Sequence, residues 1–186
     1  MIDEKEILAL LKDPLKRDVA FGHILDANQR RIYYFVRRMV LDHDDADDVT
    51  QNTFIKAWKG LDGFRGEAKI TTWLHRIAYN EAITFIGKKK KRNHVSVEDH
   101  LAATASSLMA DVLYNGDDIQ ARLHAAVDTL PEKQKAVFVM KYFEEKKYEE
   151  ISEITGTSVG ALKASFHHAV NKIEEFVKLN IEMDHG

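Results

Sequence analysis

The run "KYEEISEITGTSVGALKASFHHAVNKI", residues 147–173, decides the fold. A short helical segment, "KYEEISEIT", reaches a tight turn at residues 156–158, and a longer helical segment follows. Two helices joined in this way have the form of a helix-turn-helix. In the second one Val159, Leu162, Phe166, Ala169, Val170, Ile173 and Val177 recur at spacings of three or four, which makes one apolar stripe. Gly160, Ala161, Lys163, Ala164, Ser165, His167, His168 and Lys172 lie off that stripe, and no acid occurs from residue 163 to residue 172. Small residues beside a lysine let a helix approach a groove closely. The helix start near Thr157 or Ser158 offers N–H donors suited to a phosphate. This is the build of a recognition helix in a DNA groove. The plainer alternative is the last helix of a bundle with a solvated polar face. His167 and His168 point about 100° apart on a helix and have no carboxylate or cysteine beside them, so no metal site is expected.

Upstream, "PEKQKAVFVMKYF" reads as a helix, with Pro131 suited to its first turn, and "IQARLHAAVDTL" reads as another. Residues 119–186 thus form a helical unit. Before it, periodicity fades across residues 93–118, small, polar and acidic, which read as a flexible linker that could hold a partial helix. Residues 1–92 form a second helical unit. Each unit is small enough to be marginal alone.

In the first unit, residues 3–12 and 18–40 are amphipathic, the latter with Ile24, Ile32, Phe35, Val36 and Met39. The stretch "DDADDVTQNTFIKAW", residues 44–58, gathers Ala46, Thr50, Thr53, Phe54, Ala57 and Leu61 on one side. On the opposite arc sit Asp48, Gln51, Asn52 and Ile55, with Trp58 at the border. Acid, amides and a bare apolar group together suit a protein–protein patch better than a solvated face. The acids at the helix start also favour its dipole, whatever else they do. They do not form a calcium loop: counted from Asp42, the sixth position, where the turn needs glycine, is Asp47.

A turn with three glycines, "GLDGFRG", follows. Then comes "TTWLHRIAYNEAITFIG", with Thr71 or Thr72 as N-cap and Gly87 as C-cap. Phe64, Trp73 and Tyr79 alternate with Arg65, Lys69 and Arg76, and stacking surfaces interleaved with cations suit unpaired bases. Trp73 fits plain packing equally well. Thr72, Arg76, Tyr79, Asn80 and Ile83 are expected outward, away from Leu74, Ile77, Ala78 and Phe85. Glu81 falls on the inner side with no evident reason. The basic run at residues 88–92 could hold a DNA backbone.

Composition sets the outer bounds. The chain has 186 residues, 45% hydrophobic and 31% charged, with a net charge of −3, so any DNA site must be local. It has no cysteine, which excludes disulfides and thiolate zinc sites and fits a reducing cytoplasm. The charged N-terminus lacks a signal peptide's apolar core, and no run approaches the roughly 18 apolar residues of a membrane span. Two prolines and nine glycines allow long helices. No nucleophile–base pair, P-loop or metal set points to an enzyme or to a cofactor.

Together, residues 45–82 resemble region 2, and residues 130–173 resemble region 4, of bacterial RNA polymerase sigma factors of the two-domain extracytoplasmic-function (ECF, group 4) type. The resemblance implies an all-α protein of two small domains that binds core RNA polymerase and directs it to promoter DNA. It implies that Asp48, Gln51, Asn52, Ile55 and Trp58 grip a coiled coil of the polymerase's largest subunit. It further implies that Phe64, Arg65, Lys69, Thr72, Trp73, Arg76 and Asn80 open the minus-ten element and hold a flipped base. Ser158, Lys163, Ser165, His167, His168 and Lys172 would read the minus-thirty-five element as duplex. An anti-sigma factor would sit on the exposed polymerase-facing patches, and the free chain would be a monomer. Where many members carry arginines on the recognition helix, this chain has Ser165 and His168, so its base preference cannot be borrowed. A helix-turn-helix regulator acting without polymerase, and a helical adaptor that binds no DNA, are the alternatives.

Overall fold

A computed structural model of the chain describes residues 4–92 and 118–184. The linker expected over residues 93–118 lies almost wholly outside the described residues. Among them every regular element is a helix. The first unit contains α1 (Glu4–Leu11), α2 (Arg17–Val40), α3 (His43–Gly60) and α4 (Ile70–Arg92), with 3-10 turns at Pro14–Lys16 and Leu61–Gly63. The second contains α5 (Asp118–Asp128), α6 (Glu132–Phe138), a π turn continuing it (Val139–Phe143), α7 (Tyr148–Thr155) and α8 (Val159–Asp184).

In the first unit α2, α3 and α4 pack pairwise and α1 lies on α2. The apolar positions expected of α2 are all inside: Ile24, Ile32, Phe35 and Val36 are fully buried and Met39 nearly so. Burying side chains of this size stabilises by about 1.5–3 kcal/mol each. On α3, Ala46, Val49, Thr53, Phe54 and Ala57 face the core, as does Leu61 just beyond it, and Thr53 returns its hydroxyl to the Val49 carbonyl at 2.8 Å. Thr50 is only half-buried. Asp42 starts the helix, its side chain accepting from the Asp45 N–H at 3.0 Å. The acidic start of α3 therefore includes a helix cap.

Helix α4 departs from expectation at both ends. It begins at Ile70, ahead of Thr71 and Thr72, so neither is its N-cap. It runs through Gly87 to Arg92, so Gly87 is an interior residue and the basic run at 88–92 is helical. Its faces differ too. Thr72 (5% exposed) and Tyr79 (9%), seven residues apart and so on one side, are buried, while Arg76 and Asn80 remain outside. The reason is that α4 has neighbours on several sides: α2 and α3 within its own unit, α7 and α6 from the other. Glu81 is explained by its partner, an ion pair with Lys56 of α3.

The helix-turn-helix forms as its residues dictate. Gly156 ends α7 in the left-handed conformation, φ +71°, with its N–H on the Ser152 carbonyl at 2.8 Å. Ser158 starts α8, its hydroxyl accepting from the Ala161 N–H at 3.3 Å. Leu162, Ala169 and Ile173 of the predicted stripe are buried, and Val159, Phe166, Val170 and Val177 are half-buried against α5, α6 and α7. Pro131 sits just before α6, as its N-cap.

The two units pack against each other and share one core. His75 of α4 is fully buried there, with Nδ1 2.8 Å from the Thr71 carbonyl and Nε2 3.3 Å from Glu144 Oε1. Burial works against the Glu144 carboxylate, but bonding and charge from His75, and then Lys146, leave its pKa below the ordinary range. Arg76 Nε donates to the Glu153 carbonyl of α7 at 2.9 Å, and Lys90 pairs with Glu132 at 2.8 Å. The Arg38 guanidinium lies 4.7 Å from the centre of the Phe143 ring.

Candidate polymerase and nucleic-acid interfaces

Three surfaces carry the residues singled out by sequence. The first is the outer arc of α3. Asp48, Gln51 and Asn52 are exposed, and Ile55 keeps 44% of its surface in water. Its exposure does not arise from core packing, since Thr53, Phe54 and Ala57 on the same helix already face inward. Trp58 is half-buried. Its ring meets Phe21 edge-on at 5.1 Å and lies under the Arg17 guanidinium at 4.6 Å. It borders the arc, fixed by its own chain.

The second surface is the loop at residues 64–69 with the outer side of α4. Phe64 and Trp73 stack at 4.8 Å between centroids, tilted by 34°, and Trp73 closes against the backbone of Gly60. Beside them lies a cavity of about 390 Å³, lined by Phe64, Arg65, Glu67, Ala68, Trp73 and Arg76 among others. Two aromatic rings and two guanidinium groups at its wall suit a planar, electron-rich guest. Arg65 and Lys69 are exposed, as is Asn80 one turn beyond Arg76. Thr72, expected here, points inward and is unavailable. Of the basic run, Lys89 pairs with Asp45 and Lys90 with Glu132, while Lys88, Lys91 and Arg92 stay exposed.

The third surface is the outer face of α8. Ser158, Lys163, His167, His168 and Lys172 are exposed and Ser165 is half-buried. Gly160, Ala161 and Ala164 are exposed between them, leaving a low profile. Lys163 Nζ lies 5.9 Å from the Tyr148 ring, Lys172 reaches Gln134 at 3.1 Å, and His167 Nε2 lies 3.4 Å from Asn171 Nδ2. Ser158 already satisfies one N–H at the helix start, so fewer donors remain for a phosphate than the sequence suggests.

Sequence reasoning missed His75, which is buried between the units, and Glu4, whose Oε1 accepts from the Ile70 N–H at 2.8 Å. A histidine between Leu74 and Arg76 carries no period of its own, and the Glu4 contact spans 66 residues. A larger cleft of about 610 Å³ between α2 and the π turn sets Arg30, Arg31 and Arg38 against Glu144, Glu145 and Glu150, so its charges largely match one another. Among the described residues no group of three or more His, Asp or Glu could hold a metal ion, and no helix is long and apolar enough to cross a membrane.

Comparison with known proteins draws these surfaces together. Residues 24–92 match the family model of Sigma-70 region 2, and residues 120–173 match that of Sigma-70 region 4. The chain is 33% identical over 158 residues to the ECF RNA polymerase sigma factor SigW of Bacillus subtilis, covering 80% of this chain and 83% of that protein. It is 29% identical over 164 residues to the RNA polymerase sigma-H factor of Pseudomonas aeruginosa, covering 84% and 85%. Its fold is similar to that of the sigma factor RpoE solved with the anti-sigma factor NepR from Bartonella quintana, at a TM-score of 0.67, 22% identity, 85% of this chain and 96% of that one. It is equally similar to CnrH solved with the cytosolic domain of CnrY, at a TM-score of 0.67, 21% identity, 95% of this chain and 97% of that one. The helix-turn-helix, the helical bundle before it and the matches to both regions make this chain a member of the sigma-70 family, an RNA polymerase sigma factor of the ECF type and not of an enzyme family.

Proposed function

We propose a division of labour among the three surfaces of this sigma factor. The α3 arc of Asp48, Gln51, Asn52 and Ile55, bordered by Trp58, docks on a coiled coil of core RNA polymerase. The loop at 64–69 with Trp73, Arg76 and Asn80 captures an unpaired base of the minus-ten element in the cavity between Phe64 and Arg76. The α8 face of Lys163, Ser165, His167, His168 and Lys172 reads the minus-thirty-five element as duplex, with Ser158 at its phosphate end. Residues 1–92 and 119–186 act as the two domains and 93–118 as the connection, in the cytoplasm and without catalysing a reaction. An anti-sigma factor of this chain would cover the α3 arc.

The observation that carries this reading is Ile55, 44% exposed among polar neighbours on an otherwise well-packed helix. A net charge of −3 makes the free chain a poor ligand for DNA, whereas docking brings two modest grips into register and raises their effective concentration. Unstacking costs a few kcal/mol per step. Each captured base returns about 1–3 kcal/mol. Because Arg76 is bonded to Glu153 of α7, it must exchange that partner before it can serve DNA.

The test is co-purification with core polymerase followed by run-off transcription over a promoter library. Ile55→Asp is expected to abolish co-purification while leaving the helical spectrum unchanged. Retained co-purification would remove the α3 arc from the interface. Promoter-selective binding by the free wild-type chain, equal to that of the holoenzyme, would refute the dependence on docking.

A further inference from the structure

The loop at residues 64–69 joins the turn after α3 to α4 with little regular structure of its own, yet the N-terminal segment contacts its middle and the elements on both sides of it. At its entry, Arg17 donates through Nη2 to the Trp58 carbonyl at 3.0 Å, while its Nη1 pairs with Asp62, also at 3.0 Å. In its middle, Gly66 adopts φ +73°, and a Cβ placed there would lie 3.5 Å from both methyls of Leu8. At its exit, Glu4 Oε1 accepts from the Ile70 N–H at 2.8 Å. The residue before Ile70 is Lys69, whose side chain has no acceptor and cannot cap the helix. Glu4 therefore caps α4 from another helix and sets a carboxylate at the positive end of the α4 dipole. Glu4, Leu8 and Arg17 all precede residue 24, where the match to Sigma-70 region 2 begins.

We propose that this N-terminal segment is a clamp that fixes the pose of the promoter-reading loop, with Glu4 as the positioning residue for the first turn of α4. The inference rests on the loop being the minus-ten grip. Ile70 stands three residues before Trp73, whose N–H bonds the Lys69 carbonyl at 3.0 Å, so fixing that turn fixes the ring that stacks on Phe64. A loop ordered at folding need not be ordered by DNA, and preorganisation of this kind raises affinity. Gly66 belongs to the same device: a side chain there would be strained by the backbone conformation, φ +73°, although its Cβ would meet the Leu8 methyls only at ordinary contact distance.

The experiment measures binding of reconstituted holoenzyme to a fluorescent single-stranded oligonucleotide carrying the minus-ten sequence of a promoter obtained by run-off selection. Glu4→Ala and Leu8→Ala are expected to weaken binding by about three- to tenfold, the scale of a lost helix cap, with core binding and duplex minus-thirty-five binding unchanged. Glu4→Gln is expected to recover most of the loss, because its amide oxygen still accepts. Trp73→Ala serves as the reference. If Trp73→Ala weakens binding and Glu4→Ala does not, the clamp is refuted and the loop reading stands. If Trp73→Ala has no effect, the loop reading falls and the clamp with it. Glu4→Gln as weak as Glu4→Ala, or loss of core binding by Glu4→Ala, would overturn the positioning role in favour of bulk charge or general fold damage.

Discussion

Ile55 and Trp73 show how differently two apolar side chains can be used in one bundle. Ile55 keeps 44% of its surface in water, whereas Trp73 is half-buried, stacked on Phe64 and, with it, part of the wall of an open depression. The two uses that the sequence leaves open for Trp73, packing and base stacking, are thus compatible. Trp73→Ala is expected to depress open-complex formation by roughly ten- to a hundredfold, the scale of one stacked base, with initial promoter binding nearly unchanged. Stopped-flow signals for the two steps would separate them, and equal losses in both would make Trp73 a packing residue alone. His124 offers a test by pH. Burial first, then the charges of Arg38 and Lys135, lower its pKa from 6.5 to about 4. The unfolded chain binds this proton more readily, so stability is full above pH 6.5 and falls as the pH drops toward about 4. Urea unfolding at stepped pH should show that slope in the wild type and a shallower one in His124→Gln. Parallel slopes would exclude His124 as the source.

At the scale of elements, periodicity predicted well wherever a helix has one buried side. The α2 stripe is buried and the α8 stripe is buried or half-buried against its neighbours, because a single apolar face leaves a clear period of 3.6 residues. Helix α4 has several buried sides, so its period is blurred and its outward face was only partly legible: Arg76 and Asn80 were placed correctly, Thr72 and Tyr79 were not. Its ends were misplaced for a related reason, since its cap comes from α1 and its basic tail is held by ion pairs with Asp45 and Glu132. The turn before α8 was legible because Gly156 at φ +71° is a local necessity. Gly156→Ala is expected to destabilise the fold by about 1–2 kcal/mol, measured by urea denaturation. A different element pair, α5 and α6, is joined by a buried ion pair, Lys135 with Asp128 at 2.7 Å. Burial lowers the Lys135 pKa, and Asp128 opposes that shift. Asp128→Ala is expected to cost about 3–5 kcal/mol in the same assay, since it removes the counter-charge of a buried lysine.

At the scale of the molecule, the contact between α4 and the second unit occupies part of the surface assigned to DNA. Its members are His75 with Glu144 just after the π turn, Arg76 with the Glu153 carbonyl of α7, and Lys90 with Glu132 of α6. The chain has no cysteine, so a pair can be introduced cleanly. Lys90→Cys with Glu132→Cys, bridged by a short bismaleimide, is expected to bind core polymerase through α3 yet lose open-complex formation by about tenfold or more, because held together the two grips cannot reach promoter spacing. The unbridged double variant is the control. Full activity of the bridged chain would show that the domains need not part.

The sequence by itself determined the helical class, the helix-turn-helix, the stripe of α8, the exposed arc of α3 and the resemblance to two sigma regions. Each of these is written in residue spacing along one helix or in a turn's demand for glycine, which are local facts. Only the tertiary structure decided that Thr72 and Tyr79 face inward, that Glu81 answers Lys56, that His75 is buried against Glu144 and that Glu4 caps a helix 66 residues away. Those depend on which helices become neighbours, and pairing across such distances leaves no repeat in the chain from which to read it.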